Sequence, residues 1–96
     1  MKAMNTATLP ILPSPWIETT EESFQYSMDC LPPIMVNGLK AFMVSEPLRH
    51  DLDTGRPVYT GFAEVKGKDG ALKHYTCDAT VAQFKEHYIE LIKALG

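Results

Sequence analysis

The stretch VYTGFAEVKGKDGALKHYTCDATVAQ, residues 58–83, decides the fold. Two runs rich in β-branched and aromatic residues, Val58 to Lys66 and Leu72 to Cys77, flank Gly67-Lys68-Asp69-Gly70, the composition of a hairpin tip. Two registers compete. A two-residue Asp69-Gly70 turn pairs Lys66 with Lys73 and Glu64 with Tyr75, whereas a four-residue turn pairs Glu64 with Lys73, Phe62 with Tyr75 and Val65 with Leu72. The second joins opposite charges and two aromatics, each contact contributing roughly 0.2–1 kcal/mol, and is the register expected. Either one places Val58, Thr60 and Phe62 on a face with Tyr75 and Cys77.

Working outward, the hairpin runs directly into a helix expected over about 79–95. Asp78 or Thr80 caps it, and Thr80-x-x-Gln83 reads as a capping box. Val81, Phe84, Tyr88, Leu91, Ile92 and Leu95 fall within one arc of about 100°, the width of a core-facing stripe, and Gly96 stands where a C′ glycine would. Upstream, Asn37-Gly38 between apolar runs is a two-residue hairpin signal, so a strand follows from about 39 to 46 and stops near Pro47. The loop 48–57 carries Asp53-Thr54-Gly55 as its turn. An earlier helix starts at Thr19 or Thr20, with Thr19-x-x-Glu22 as its box. It points Phe24, Ser27, Met28 and Leu31 inward and ends at Pro32-Pro33. Residues 1–15 hold three of the seven prolines and read as an extended arm, leaving 16–96 as a single domain.

The expected architecture is α+β. A small antiparallel meander of three to four strands carries the N-terminal and C-terminal helices on one face, in the order α-β-β-β-α, with an extra short strand at 34–36.

Composition excludes several classes. At 96 residues the chain supports one core, and its 45% hydrophobic fraction is too high for a disordered tail. No apolar run approaches a membrane span, and the prolines at 10, 13 and 15 break the only apolar stretch an export signal could use. The net charge of −3 lies entirely in residues 1–38; residues 39–96 carry eight basic and eight acidic side chains. No single-sign field therefore points to nucleic acid or an anionic membrane. Two cysteines make no disulfide framework, and a cytoplasmic, reducing setting is expected.

The stretch Trp16-Ile17-Glu18-Thr19-Thr20-Glu21, followed by Tyr26 and by Leu31-Pro32-Pro33, resembles a small bacterial, often plasmid-associated family, the domain of unknown function 1419 family. Gly38, Met43 and Cys77-Asp78 are similar to its later positions, with Thr76 where that family carries a tyrosine, and the loop from Leu48 to Arg56 is longer than its usual one. The resemblance covers roughly residues 15–80 and brings no established activity, so it implies no catalytic residue.

The chemistry-bearing residues are weighed in the same way. Arg49-His50-Asp51-Leu52-Asp53 has too few ligands for calcium or zinc and reads as a solvated turn. Cys77 beside Asp78 reads as a buried structural thiol: an adjacent carboxylate raises a thiol's pKa, and His74 points to the other face. No catalytic, cofactor or metal site is expected. The function expected is that of a non-enzymatic accessory or interaction protein that binds another macromolecule, a protein first of all. Its candidate surface comprises Trp16, Glu18, Tyr26 and Cys30. The alternative is a nucleic-acid-associated regulator using the hairpin lysines and sheet aromatics; a small enzyme ranks third. A homodimer is expected through the helix-free sheet face, with Tyr59, Ala63, Val65, Leu72 and His74 as its candidate residues.

Overall fold

The structure, a computed structural model, describes residues 12–30, 34–36 and 40–95. Most of the arm, the prolines after the first helix, the Asn37-Gly38 turn and Gly96 lie outside the described residues. In chain order the elements are β1 (Ile17–Thr19), α1 (Glu21–Cys30), β2 (Ile34–Val36), β3 (Ala41–Met43), β4 (Arg49–His50), β5 (Pro57–Lys66), β6 (Leu72–Ala79) and α2 (Val81–Leu95). The sheet is antiparallel in the order β1-β6-β5-β3-β2, with β4 on β5 beyond β3. The α+β class and the helix–strands–helix order stand; β1 and β4 are additions to them.

Local chemistry explains the helix ends. For α2, the Gln83 amide donates to Thr80 Oγ1 (3.3 Å) and the Thr80 amide to Gln83 Oε1 (3.2 Å), the reciprocal capping box expected. For α1 the cap sits one residue later than Thr19: the Ser23 amide donates to Thr20 Oγ1 at 3.0 Å. Thr19 instead belongs to β1, opposite His74 of β6, and Thr20 is the residue immediately before the first helical residue, Glu21.

The β5–β6 register corrects both alternatives read from the sequence. Phe62 stands opposite Thr76, Glu64 opposite His74 and Val65 opposite Lys73. Gly70, at φ +85°, follows a turn closed by its own amide on the Gly67 carbonyl (3.0 Å), while the Gly67 amide donates to the Ala71 carbonyl (2.9 Å). A type I turn followed by a left-handed glycine makes a three-residue loop, and that loop length fixes the register. Because side chains alternate, a one-residue slip exchanges the faces of a strand. Phe62 therefore does not share a face with Tyr75 and Cys77; it points away from them.

Helix placement follows from this parity and corrects the single-face expectation. On one face Gly61, Ala63 and Val65 of β5 join Tyr75 and Cys77 of β6 beneath Phe84, Tyr88 and Leu91 of α2. On the other face Phe42 and Phe62 stack at 5.4 Å beneath Phe24 of α1, which meets the Phe42 ring edge-on at 5.1 Å. The helices thus sit on opposite faces, and the sheet is the middle of three layers.

Candidate functional site

The residues proposed from sequence as one interaction surface are not brought together. Trp16 is buried in the core on the α2 side, its ring 5.5 Å from Phe84 and its Nε1 donating to the His87 carbonyl at 2.9 Å. It pins the segment before β1 to α2. Glu18 is exposed on β1, opposite Tyr75. Burial first, and then the Glu18 charge, raise the Tyr75 phenol above its ordinary value. Tyr26 is 70% exposed on α1, across the sheet from Trp16, and the Cys30 side chain lies outside the described residues.

The candidate dimer face is likewise divided. Ala63 and Val65 are buried beneath α2 in the main core, and half-buried Tyr59 packs against the same cluster. Leu72 and His74 belong to the α1 side, where His74 lies 4.8 Å from the Phe24 ring. With a helix on each face, these five residues form no common free surface. Ala63 in particular is a packing residue, not a contact residue.

The polar clusters are structural. In the 49–53 loop the Asp51 carboxylate accepts from the Thr54 hydroxyl (2.9 Å) and amide (3.0 Å). Those two bonds, the hydroxyl first, hold its pKa below the usual value. Gly55 closes the same turn at φ +73°. No group of three metal-ligating side chains occurs among the described residues. Cys77 is buried, and desolvation, followed by the Asp78 charge, pushes its thiol up to about 12, which leaves it without nucleophilic character near neutrality. His74 Nε2 meets Glu64 Oε2 at 3.0 Å beneath α1, a half-buried pair that ties the two long strands together.

Two concave sites remain among the described residues, and the sequence points to neither as a site, although it places Val65 on the candidate dimer face, Tyr88 and Ile92 on the core stripe of α2, and Lys66 among the hairpin lysines. A groove of about 740 Å³ runs between α2 from Lys85 to Lys93, the end of β2, Lys40 just before β3, and the last three residues of β5. Its floor is apolar: Val36, Val65 and Tyr88, each less than a tenth exposed. Ile89 and Ile92 form its α2 wall, at 54% and 36% exposure. Four lysines stand around it: Lys40 and Lys66 from the sheet, Lys85 and Lys93 from α2. Among the described residues the single acidic lining residue is Glu64, whose carboxylate is engaged by His74. The signal available in the sequence was Ile89, an isoleucine off the core stripe of α2 and flanked at four residues on either side by Lys85 and Lys93. A smaller recess of about 310 Å³ lies at the α2 N-terminus beside Arg56, but the Thr80 and Gln83 groups there already satisfy each other.

Compared with known proteins, the chain matches no family model, no curated protein and no solved structure. No helix among the described residues is long and apolar enough to cross a membrane.

Proposed function

We propose that this chain is a non-catalytic binding module that takes a partner protein into the lysine-rimmed groove beside α2. The observation that carries the reading is the groove itself: exposed isoleucines over a recessed apolar floor, with four lysines and one glutamate among its described lining residues, in a chain of net charge −3. Isolated exposed aliphatics are ordinary on a protein surface, but a concave apolar strip bordered mainly by lysines has the composition of a recognition site. The polar clusters elsewhere support the same reading, because each is committed to a turn, a cap or a strand pair.

The nucleic-acid alternative retains the hairpin lysines but loses its stacking surface. Phe42, Phe62 and Tyr75 are covered by the helices, and the groove offers aliphatic side chains where bases need flat rings. The resemblance of roughly residues 15–80 to the plasmid-associated family would, if it is kinship, add a setting, a mobile genetic element, and no chemistry.

The test is site-specific photo-crosslinking in native host cells, with the reactive group at Ile89 in the groove or at Leu52, fully exposed on the distant loop. A protein adduct formed from Ile89, not from Leu52, and lost in Lys85→Glu/Lys93→Glu is the expected result. Identical adducts from both positions, or none from Ile89, would overturn the reading. So would salt-sensitive retention of labelled DNA that disappears in the same double variant, since a nucleic acid would then be the ligand.

A further inference from the structure

We infer that the groove is built for an acidic amphipathic helix of the partner, an inference that rests on the binding reading above and names the partner's chemistry. Three observations converge on it: depth, charge and spacing.

Depth comes first. Val36, Val65 and Tyr88 are 6%, 3% and 7% exposed, whereas Ile89 and Ile92 above them are 54% and 36% exposed. A flat lipid surface reaches the isoleucines and stops there. A ridge of side chains, such as the apolar face of a helix, fills the space down to the floor. Charge comes next. Among the described lining residues, Lys40, Lys66, Lys85 and Lys93 are accompanied by one acid, Glu64, and that carboxylate lies 3.0 Å from His74 Nε2. A segment flanked by carboxylates meets complementary charge on both sides, and a basic one meets repulsion on both. The acidic side chains of α2 itself, Glu86 and Glu90, do not line the groove.

Spacing then selects the helix. Lys85 and Lys93 are eight residues apart on α2, about 12 Å along its axis. Carboxylates at i and i+7 or i+8 of a second helix span the same distance. Aliphatic residues at i+3 and i+4 then fall opposite Ile89, midway between the lysines.

The experiment is fluorescence anisotropy on the intact protein with three labelled peptides. One is an amphipathic helix with leucines at i+3 and i+4 between glutamates at i, i+7 and i+8. The second is its twin with lysine for every glutamate, and the third is a scramble of the first. The expected result is binding of the acidic helix alone, weakened roughly tenfold or more in Lys85→Glu/Lys93→Glu, with the lysine twin now binding that variant. Ile89→Asp, a change at an exposed position, gives a comparable loss. Equal binding of helix and scramble, or of both charge types, overturns the inference. So does co-sedimentation with phosphatidylserine vesicles that the double variant abolishes, because the occupant would then be a membrane. An adduct at Ile89 with no acidic-helix binding leaves the binding function in place and removes only this partner chemistry; no adduct at Ile89 removes the function itself.

Discussion

Gly61→Ala tests the packing that holds the three layers in register. Gly61 lies in the middle of β5, between Met43 of β3 and Cys77 of β6, and its φ does not require glycine. Its need is space: a Cβ placed there would lie 2.6 Å from Phe84 Cδ1 and closer still to Cε1. Carbon atoms pack at about 3.5–4.0 Å, so the ring must withdraw by about 1 Å or more. It has nowhere to go, because Phe84 is completely buried and Trp16 packs against it at 5.5 Å. Overpacking of this kind costs about 1–3 kcal/mol, and the rigid surroundings place it near the top of that range. Restricting the unfolded chain returns about 0.4–1 kcal/mol. The net expectation is a loss of about 2 kcal/mol, or roughly 8–16 °C in Tm for a domain of this size. Urea unfolding followed by far-UV circular dichroism reads it directly. Phe84→Leu should relieve the clash, so the double variant should be more stable than the sum of the two single losses by about 1 kcal/mol. A Gly61→Ala protein within about 0.5 kcal/mol of wild type, or strict additivity with Phe84→Leu, would refute the placement of α2 over β5.

The remaining predictions concern other elements. Trp16→Phe keeps a ring against Phe84 but removes the donor to the His87 carbonyl, so it should cost about 1–2 kcal/mol in a urea melt, against about 3–5 for Trp16→Ala. Phe62→Ala should cost about 3–5 kcal/mol and His50→Ala under about 0.5; the reverse order of denaturant midpoints would make the 49–53 loop the structural site. In a Cys30→Ser background, Cys77 should stay inert to a thiol reagent at about pH 8 and react only on unfolding. With its folded pKa raised from 9.0 to about 12, the native state keeps a proton that the unfolded state releases, so Cys77 should make stability fall as pH rises through that window; a flat pH profile would contradict its burial.

How much of the fold could be read in the sequence depends on which signals were local. The α2 cap was legible because Thr80 and Gln83 satisfy each other within one turn, and the strands were legible from their alternation. The β5–β6 register was not. Both readings judged cross-strand pairs, Glu64 with Lys73 in one and Lys66 with Lys73 in the other, whereas the loop length set by Gly70 at φ +85° decided the matter. That single slip carried Tyr75 and Cys77 from the Phe62 face to the opposite one, and with them the location of a helix. The first hairpin shows the converse. A two-residue Asn37-Gly38 turn would pair Val36 with Leu39, whereas Val36 pairs with Ala41. A shift of two residues preserves which side chains of the two strands share a face, although the sequence did not indicate which face of the strand from 39 to 46 is buried; the structure places Ala41 and Met43 on the α2 side and Phe42 on the α1 side.

The groove was hidden for a different reason. Lys40 and Lys66 share no spacing with Lys85 and Lys93, and three of the four stand within three residues of an acid, which helps residues 39–96 read as neutral. Neutrality of the segment is not neutrality of its surface. Folding sends Glu64 toward His74 beneath α1, leaves Glu86 and Glu90 outside the groove, and gathers the four lysines at one end of the sheet. On α2, helical periodicity separates Lys85 and Lys93 from Glu86 and Glu90; on β5, Lys66 shares the face of Glu64, whose carboxylate is taken up by His74. A charge pattern averaged along the chain cancels a field that the two helices and the sheet resolve in space. The prediction that follows is directional: exchanging the charges of Lys85 and Glu86 leaves composition, net charge and helix content unchanged, yet it removes a cation from the rim. Binding of the acidic helix should weaken by roughly twofold to fivefold while the urea midpoint stays within error, as read by anisotropy and circular dichroism on the same samples. Unchanged binding would mean that net charge, rather than its placement around the groove, governs recognition.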